Sequence, residues 1–373
     1  MPEYTTERNP PAPRFPLVSS AALDKGDYTP RAIITDCLYA GHPAMDGGIF
    51  KSGKTLLAID GAISIATGCP FLNAFTVPEP MAVVYFTGEG GPSMTQEYGR
   101  RIAASKGLKL SDARNLYWCF SVPKLESLHD LDEVQRIHDE TAAEVMFFDN
   151  LMLCMSGDEA GNVFKMGRVL GNVVRICNER GITPVFVHHF KRTRSTTDLY
   201  APGELLDLTQ AGAAEIAGQW WLLTRREAYN PDEPGEHRLW LNIGGRLGHG
   251  CLHAVDIHEG RLSDSGGRRW EVAVSKPDDA RQAVAGTQEA ARAAARRDKA
   301  AGDLETDRRE IVDAAAKLMK PDTKNGIRDR VACGHNRFAR AFASLTNDGT
   351  FQAVEIKKSN GQTYQGWQLY HEN

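Results

Sequence analysis

Eight consecutive residues constrain this chain more than any others. Gly48-Ile49-Phe50-Lys51-Ser52-Gly53-Lys54-Thr55 fits G-x-x-x-x-G-K-[ST], and a helical apolar spacing (Leu56, Leu57, Ile59, Ile63, Ile65, Ala66) starts where it ends and stops at Gly68. Glycines let the backbone curl into a nest of N–H donors at a helix N-terminus, where negative charge is stabilised. Gly48, Lys51, Ser52, Gly53, Lys54 and Thr55 are therefore the candidate phosphate ligands. Lys54 would reach the β- and γ-phosphates and Thr55 would place its hydroxyl on Mg²⁺, so ATP and Mg²⁺ are the expected cofactors. The plainer reading is a Gly-rich turn before a helix; the strand-end carboxylates farther along the chain weigh against it. The residues before the loop depart from the usual pattern. GHPAMDG is not an apolar strand, which predicts a short or irregular first strand.

Beyond Gly68, apolar runs alternate with helical stretches. MAVVYFTGEG (81–90), EVMFFDN (144–150) and ITPVFVHHF (182–190) read as buried strands, with the amphipathic 162–181 between the last two. This predicts an α/β fold with a mostly parallel sheet flanked by helices. Residues 220 to 275, with Asn-Pro-Asp and Gly-Gly turns, predict an antiparallel extension of the sheet. Strand ends supply the chemistry. Asp149 would accept from the water shell of Mg²⁺, and Glu89 would orient and deprotonate the attacking water. His188 and His189 close the next strand, where one imidazole would touch the γ-phosphate; the alternative is a core and a capping histidine, and the sequence does not separate the two.

The flanks differ in character. Residues 1–30 read as a flexible Pro-rich arm, 276–302 as a helical linker rich in Ala, Arg and Glu, and 303–373 as three helices and a β-hairpin, the order of a winged helix-turn-helix. The net charge of −4 excludes a globally basic nucleic-acid binder, so any such contact needs local patches. One lies between Lys317 and Arg340, with seven Lys or Arg against two Asp. Arg337 and Arg340 on the third helix, with Lys357 and Lys358 at the wing tip, are candidates for duplex DNA; protein docking is the other use of such a module. Seven scattered cysteines with no CxxC pair argue for reduced thiols, against a zinc site, and for a cytoplasmic protein. The N-terminus, with five prolines in sixteen residues, is not a signal peptide, and no membrane partner is expected.

The order of phosphate loop, strand-end Glu, strand-end Asp, strand-end His and polar loop resembles the RecA-like P-loop ATPases, within the AAA family ATPases. FKSGKTLLAIDGAISIATG looks like the plasmid RepA-type branch, and TRREAYNPDEPGEHRLWLNIGGRLGHG resembles the corresponding region of the DnaB-type hexameric helicases. The resemblance runs from about residue 40 to about 260 and implies a RecA-like domain over 31–275. It implies that Arg246 crosses to a neighbour's γ-phosphate, with Arg225 and Arg226 as competitors; Gly244 stands where the family commonly has a lysine. It also implies that the segment from 191 to 212 faces DNA, with Lys191, Arg192 and Arg194 gripping phosphates. The implied activity is that of an oligomeric ATP-driven motor, helicase or helicase loader, working as a hexameric ring on single-stranded or duplex DNA. A nucleotide-switched scaffold without translocation shares these motifs. A small-metabolite kinase fits less well, because nothing resembles an acceptor-binding lid.

Overall fold

The computed structural model describes residues 17–155, 163–191, 198–209, 212–357, 359 and 361–370. Arg192, Arg194, Lys358 and most of the expected N-terminal arm lie outside the described residues. The chain divides into two compact units, Met1–Asp278 and Asp279–Asn373.

In the first unit, α1 (Ser20–Lys25) buries no residue, and β1 (Ala32–Ile34) pairs antiparallel with β2 (Leu38–Tyr39). There follow β3 (Ala44–Gly48), α2 (Lys54–Thr67), β4 (Val83–Thr87), α3 (Gly91–Ser105), β5 (Leu116–Cys119), α4 (Leu128–Thr141), β6 (Val145–Asp149), α5 (Val163–Glu179) and β7 (Thr183–His189). The unit closes with α6 (Ala213–Ile216), β8 (Gln219–Arg225), β9 (Glu236–Gly245), β10 (Gly250–His258) and β11 (Glu271–Ser275).

Nine strands form one sheet in the order β11-β10-β9-β8-β3-β7-β6-β4-β5. From β8 to β5 neighbours are parallel, and β9, β10 and β11 add the expected antiparallel extension. Alternate side chains sort into two cores. Val83, Tyr85, Phe147, Val185 and Val187 pack with α2 on one face, whereas Val84, Phe86, Phe148 and Phe186 pack with Leu170 and Val173 of α5 on the other. Both faces are covered, so the strands β3, β4 and β6 are buried throughout.

The expectation of a short or irregular first strand is corrected, since β3 has five residues like β4 and β6. Ala44–Gly48 pairs in unbroken register with both β7 and β8. A ladder on each side satisfies its backbone, and this overrides the weak strand preference of Met-Asp-Gly-Gly.

Two buried charged clusters hold the unit's far side. On α2, Asp60 is fully buried and accepts from Lys106 Nζ (3.0 Å), Trp270 Nε1 (2.7 Å), Leu72 N (2.9 Å) and Ser64 Oγ (3.2 Å). At the end of β10, Glu259 meets Arg101 Nη1 at 2.6 Å and His237 Nε2 at 2.7 Å, with Arg268 also in contact. Burial pushes the Glu259 carboxyl up, but His237, Arg101 and Arg268 outweigh it and hold the group at about 2.

The second unit contains α7 (Pro277–Ala316), which begins just before the division, α8 (Lys324–Arg328), α9 (His335–Asn347), β12 (Phe351–Lys357) and β13 (Thr363–Leu369). The order of three helices and a hairpin is as expected, but the linker and the first helix run as one element. Nothing in the alanine-rich sequence from 277 to 316 interrupts a helix. Phe338, Ala341, Phe342 and Leu345 make the buried stripe of α9, packed with Ile311, Ile327 and Phe351. All seven cysteines are free, and among the described residues no helix is long and apolar enough to cross a membrane.

Candidate functional site

The parallel strands end on one side of the sheet, where the phosphate loop, Glu89, Asp149 and the two histidines lie. Because β3 lies between β7 and β8, the chain leaving Gly48 enters its loop near the middle of the sheet, where parallel α/β folds bind ligands. Gly53 caps α2 with φ of 87°, a left-handed conformation that glycine adopts without strain. The loop is closed on itself. Ser52 Oγ donates to the Ile49 carbonyl at 2.9 Å, and Lys54 Nζ donates to the same oxygen at 2.8 Å. Lys51 is exposed, and Arg225 Nη2 reaches its carbonyl at 3.4 Å.

The register of the sheet fixes the rest. Thr87, Asp149, Val187, Asp46 and Trp221 lie opposite one another on β4, β6, β7, β3 and β8, forming a single row. Side chains in such a row share a face, here the one α2 covers, and strands two apart set the Asp149 and Asp46 backbones about 10 Å from each other. Asp149 accepts from Tyr85 Oη at 2.7 Å and from the Thr55 hydroxyl. Burial pushes its carboxyl up to about 6, with Tyr85 and Thr55 opposing and Glu89 adding to the rise. Glu89 lies exposed just beyond β4 and accepts from the amide of Asn150, the residue after Asp149.

A hydroxyl and a buried carboxylate already hydrogen-bonded to each other are hard oxygen ligands in the arrangement Mg²⁺ takes beside phosphates. The loop's backbone donors, α2's N-terminus and Lys54 suit the phosphates themselves. These residues fit a magnesium nucleotide; Thr55 and Asp149 would hold the ion, and its chemistry is to offset charge building on the phosphate oxygens.

Sheet alternation separates the two histidines that the sequence left together. His189 lies opposite Gly48 on the α2 face, half-buried, with its ring 6.3 Å from Phe50. Burial, then Lys54, lowers its pKa. His188 points to the other face, almost fully buried. Its Nε2 contacts the Thr209 carbonyl at 2.9 Å and Thr209 Oγ1 at 3.2 Å. Burial lowers its pKa to about 4, so the ring is neutral. His189 thus faces the phosphate loop, while His188 fastens the returning chain. That return is a staple: Lys191 N donates to the Asp207 carbonyl at 2.7 Å, Thr209 N to the His189 carbonyl at 2.9 Å, and Lys191 Nζ to the Leu206 carbonyl at 2.9 Å.

The arginines lie apart. Arg246 sits in the β9–β10 turn, and Gly245 beside it pairs with Gln219, the first residue of β8. This is the end of the sheet away from the chain's own phosphate loop, and the guanidinium donates to the Glu215 carbonyl at 2.6 Å. Arg226 is engaged by Asp256 at 2.5 Å. Of Arg225, Arg226 and Arg246, it is Arg225 whose side chain is hydrogen-bonded to the loop of its own chain. In the second unit, Arg337 is held by Asp307 through Nε (2.9 Å) and Nη2 (2.7 Å), while Arg340 and Lys357 are exposed.

Sequence reasoning missed Tyr85, Asn150 and Thr209, which hold Asp149, Glu89 and His188. Each carries an ordinary identity within or beside a strand pattern, and only register reveals its partner. Asp46 was visible as the polar residue that spoiled the first strand, but not as part of the site.

A mostly parallel sheet with a glycine loop and helix at its centre, and an aspartate ending a neighbouring strand, defines a P-loop ATPase-type protein. Residues 8–195 match the model of the AAA domain family, and the chain belongs to that family. The matched span includes the phosphate loop, Glu89, Asp149 and both histidines. Membership implies nucleotide binding. No curated protein matches the chain.

Proposed function

We propose that the chain is an ATP-hydrolysing, Mg²⁺-dependent DNA motor of the RecA-like class, related to the RepA-type and DnaB-type hexameric helicases. It would act in the cytoplasm as a helicase or helicase loader, in replication or maintenance of a mobile element. The observation that carries this is the convergence of Lys54, Thr55, Asp149 and Glu89 at one end of the sheet, with His189 joining that cluster to the stapled segment that opens at Lys191. Lys54 would neutralise the transferred phosphate, Glu89 would activate water, and His189 would report the γ-phosphate to the loop base.

Single-stranded DNA would lie along Lys191, Arg192 and Arg194. Subunits would assemble as a hexameric ring, because Arg246 is remote from the phosphate site of its own chain and finds one only on a neighbour. The second unit would serve as a winged helix-turn-helix, with Arg340 of α9 and Lys357 beside the wing on duplex DNA.

A second reading, a nucleotide-switched DNA-binding scaffold without translocation, gains from one observation: Arg246 is engaged by the Glu215 carbonyl and lacks a neighbouring lysine at Gly244. Phosphate release with Mg²⁺-ATP, with and without single-stranded DNA, tests both. The motor predicts hydrolysis stimulated by DNA and abolished in Lys54→Ala. Undiminished turnover in that variant overturns the site, and hydrolysis indifferent to DNA favours the scaffold.

A further inference from the structure

Two cavities flank the Glu259 cluster, and charge is divided unequally between them. One is lined by Glu97 and Glu259 together with His237, Arg261 and Arg268. The other, of about 540 Å³, carries Arg101, Arg268 and Arg269 against a single carboxylate, Glu271. It lies between the C-terminal end of α3 and the segment entering β11, and its lining shares no residue with the phosphate loop. The acids that steady these arginines thus stand on one side, and the second cavity is left with an excess of cationic groups. Its volume is in the range of small-molecule sites.

Arg101 makes this more than a charged surface. Its side chain is only 4% exposed, so the guanidinium is withdrawn from water. Nη1 is engaged by Glu259 at 2.6 Å and by the Arg269 carbonyl at 3.1 Å, and Nε lies 3.3 Å from Glu97. Nη2 has no acceptor among the described residues, and Arg101 lines the cationic cavity and not the acidic one. A buried donor left unpaired carries a desolvation cost that an arriving acceptor removes. Arg268 is fixed by Glu259, whereas Arg269 is half-exposed and only 3.5 Å from Glu271, a surface pair that gives way readily. Arg269 can therefore turn toward a ligand.

Guanidinium groups present planar pairs of donors that match the oxygens of a phosphate, and three around one cavity suit a multiply charged anion. Asn73 adds an amide to the lining, and Ala104 and Val272 add small apolar surface. Because Arg101 is recessed, the ligand that reaches it is compact, and not a strand lying across the surface.

We propose that this cavity binds a small phosphorylated molecule through Arg101, Arg268 and Arg269, at a site separate from the phosphate loop. Arg101 holds the Arg269 carbonyl, and the next residue, Trp270, donates to Asp60 of α2. An occupied cavity therefore tightens the tie between α3, the entry to β11 and the helix that follows the phosphate loop. The site stands whether or not the chain is an ATPase.

Pyrophosphate is the probe, titrated by calorimetry into the full chain carrying Lys54→Met, which withdraws the phosphate loop's cation and leaves this cavity intact. One equivalent is expected to bind and to raise the melting midpoint. Adding Arg269→Glu weakens binding about tenfold, the loss of one charge-assisted contact, without lowering the midpoint of the ligand-free chain. Arg101→Lys keeps a cation beside Glu259 and removes the unpaired donor, so it too loses affinity; where that variant fails to fold, the half-exposed Arg269 still decides. Absence of binding in the Lys54→Met chain, or binding unchanged by Arg269→Glu, overturns the proposal. Displacement of pyrophosphate by a single-stranded oligonucleotide also overturns it, assigning these arginines to nucleic acid instead.

Discussion

The same helix serves two buried aspartates in opposite ways. Asp60, near its middle, is satisfied by Lys106, Trp270, Ser64 and the Leu72 backbone, tying α2 to the chain after α3, to the turn at Leu72 and to the segment before β11. Asp46, in the row below the helix's first turn, accepts no hydrogen bond on either carboxylate oxygen from any described residue. Desolvation acts on both carboxylates, and what differs is whether the fold supplies donors. Where it does, the charge is cement; where it withholds them, burial pushes the carboxyl well above its usual range and favours its neutral form.

The sharpest break of this contrast is Asp60→Ala. Removing one partner of a buried network leaves Lys106 uncompensated and should lower stability by about 3–5 kcal/mol, read in denaturant melts, while residual folded protein still binds nucleotide. A near-neutral effect would erase the distinction between the two aspartates. Next comes acid. Glu259 belongs with Asp60 as cement, and its folded value of about 2 lies below its ordinary 4.5. A depressed carboxylate contributes stability above pH 4.5 that disappears as pH falls through 2, here about 3 kcal/mol. Glu259→Gln should flatten that acid limb in pH-dependent melts.

On the chemical side, Glu89→Gln should leave ATP binding intact and slow hydrolysis about 100-fold without shifting the melt, because Glu89 is exposed and holds no core. Normal turnover would remove its water-activating role. The smallest effect separates Arg337 from Arg340. Arg337→Ala strips Asp307 of its bidentate partner and should lower the second unit's midpoint by roughly a few degrees, whereas Arg340→Ala leaves the melt unchanged. If DNA affinity falls only in Arg340→Ala, the duplex contact lies with the exposed arginine.

What the sequence disclosed came from periodicity and short motifs. The phosphate loop, the strand-end Asp149 and Glu89, and the antiparallel addition after Trp220 all depend on local patterns that tertiary structure did not override. What it concealed depends on register. Whether His188 or His189 faces the loop is set by which side of β7 each occupies, and a one-residue slip would exchange them. Tyr85 becomes Asp149's donor only because β4 and β6 pair in a particular alignment. The disfavoured composition of β3 misled for the converse reason: two flanking ladders can hold a strand that its own residues would not choose.

The smallness of Gly47 serves the staple rather than the nucleotide. A methyl group there would come within 2.6 Å of Leu208 and 3.0 Å of Phe190, the pair that closes the returning segment, and 2.8 Å of Leu222. The absent side chain lets the base of that segment rest directly on the strand feeding the phosphate loop. Strand and loop base are therefore packed like two pages pressed together without a spacer, so that a shift of one must be accommodated by the other.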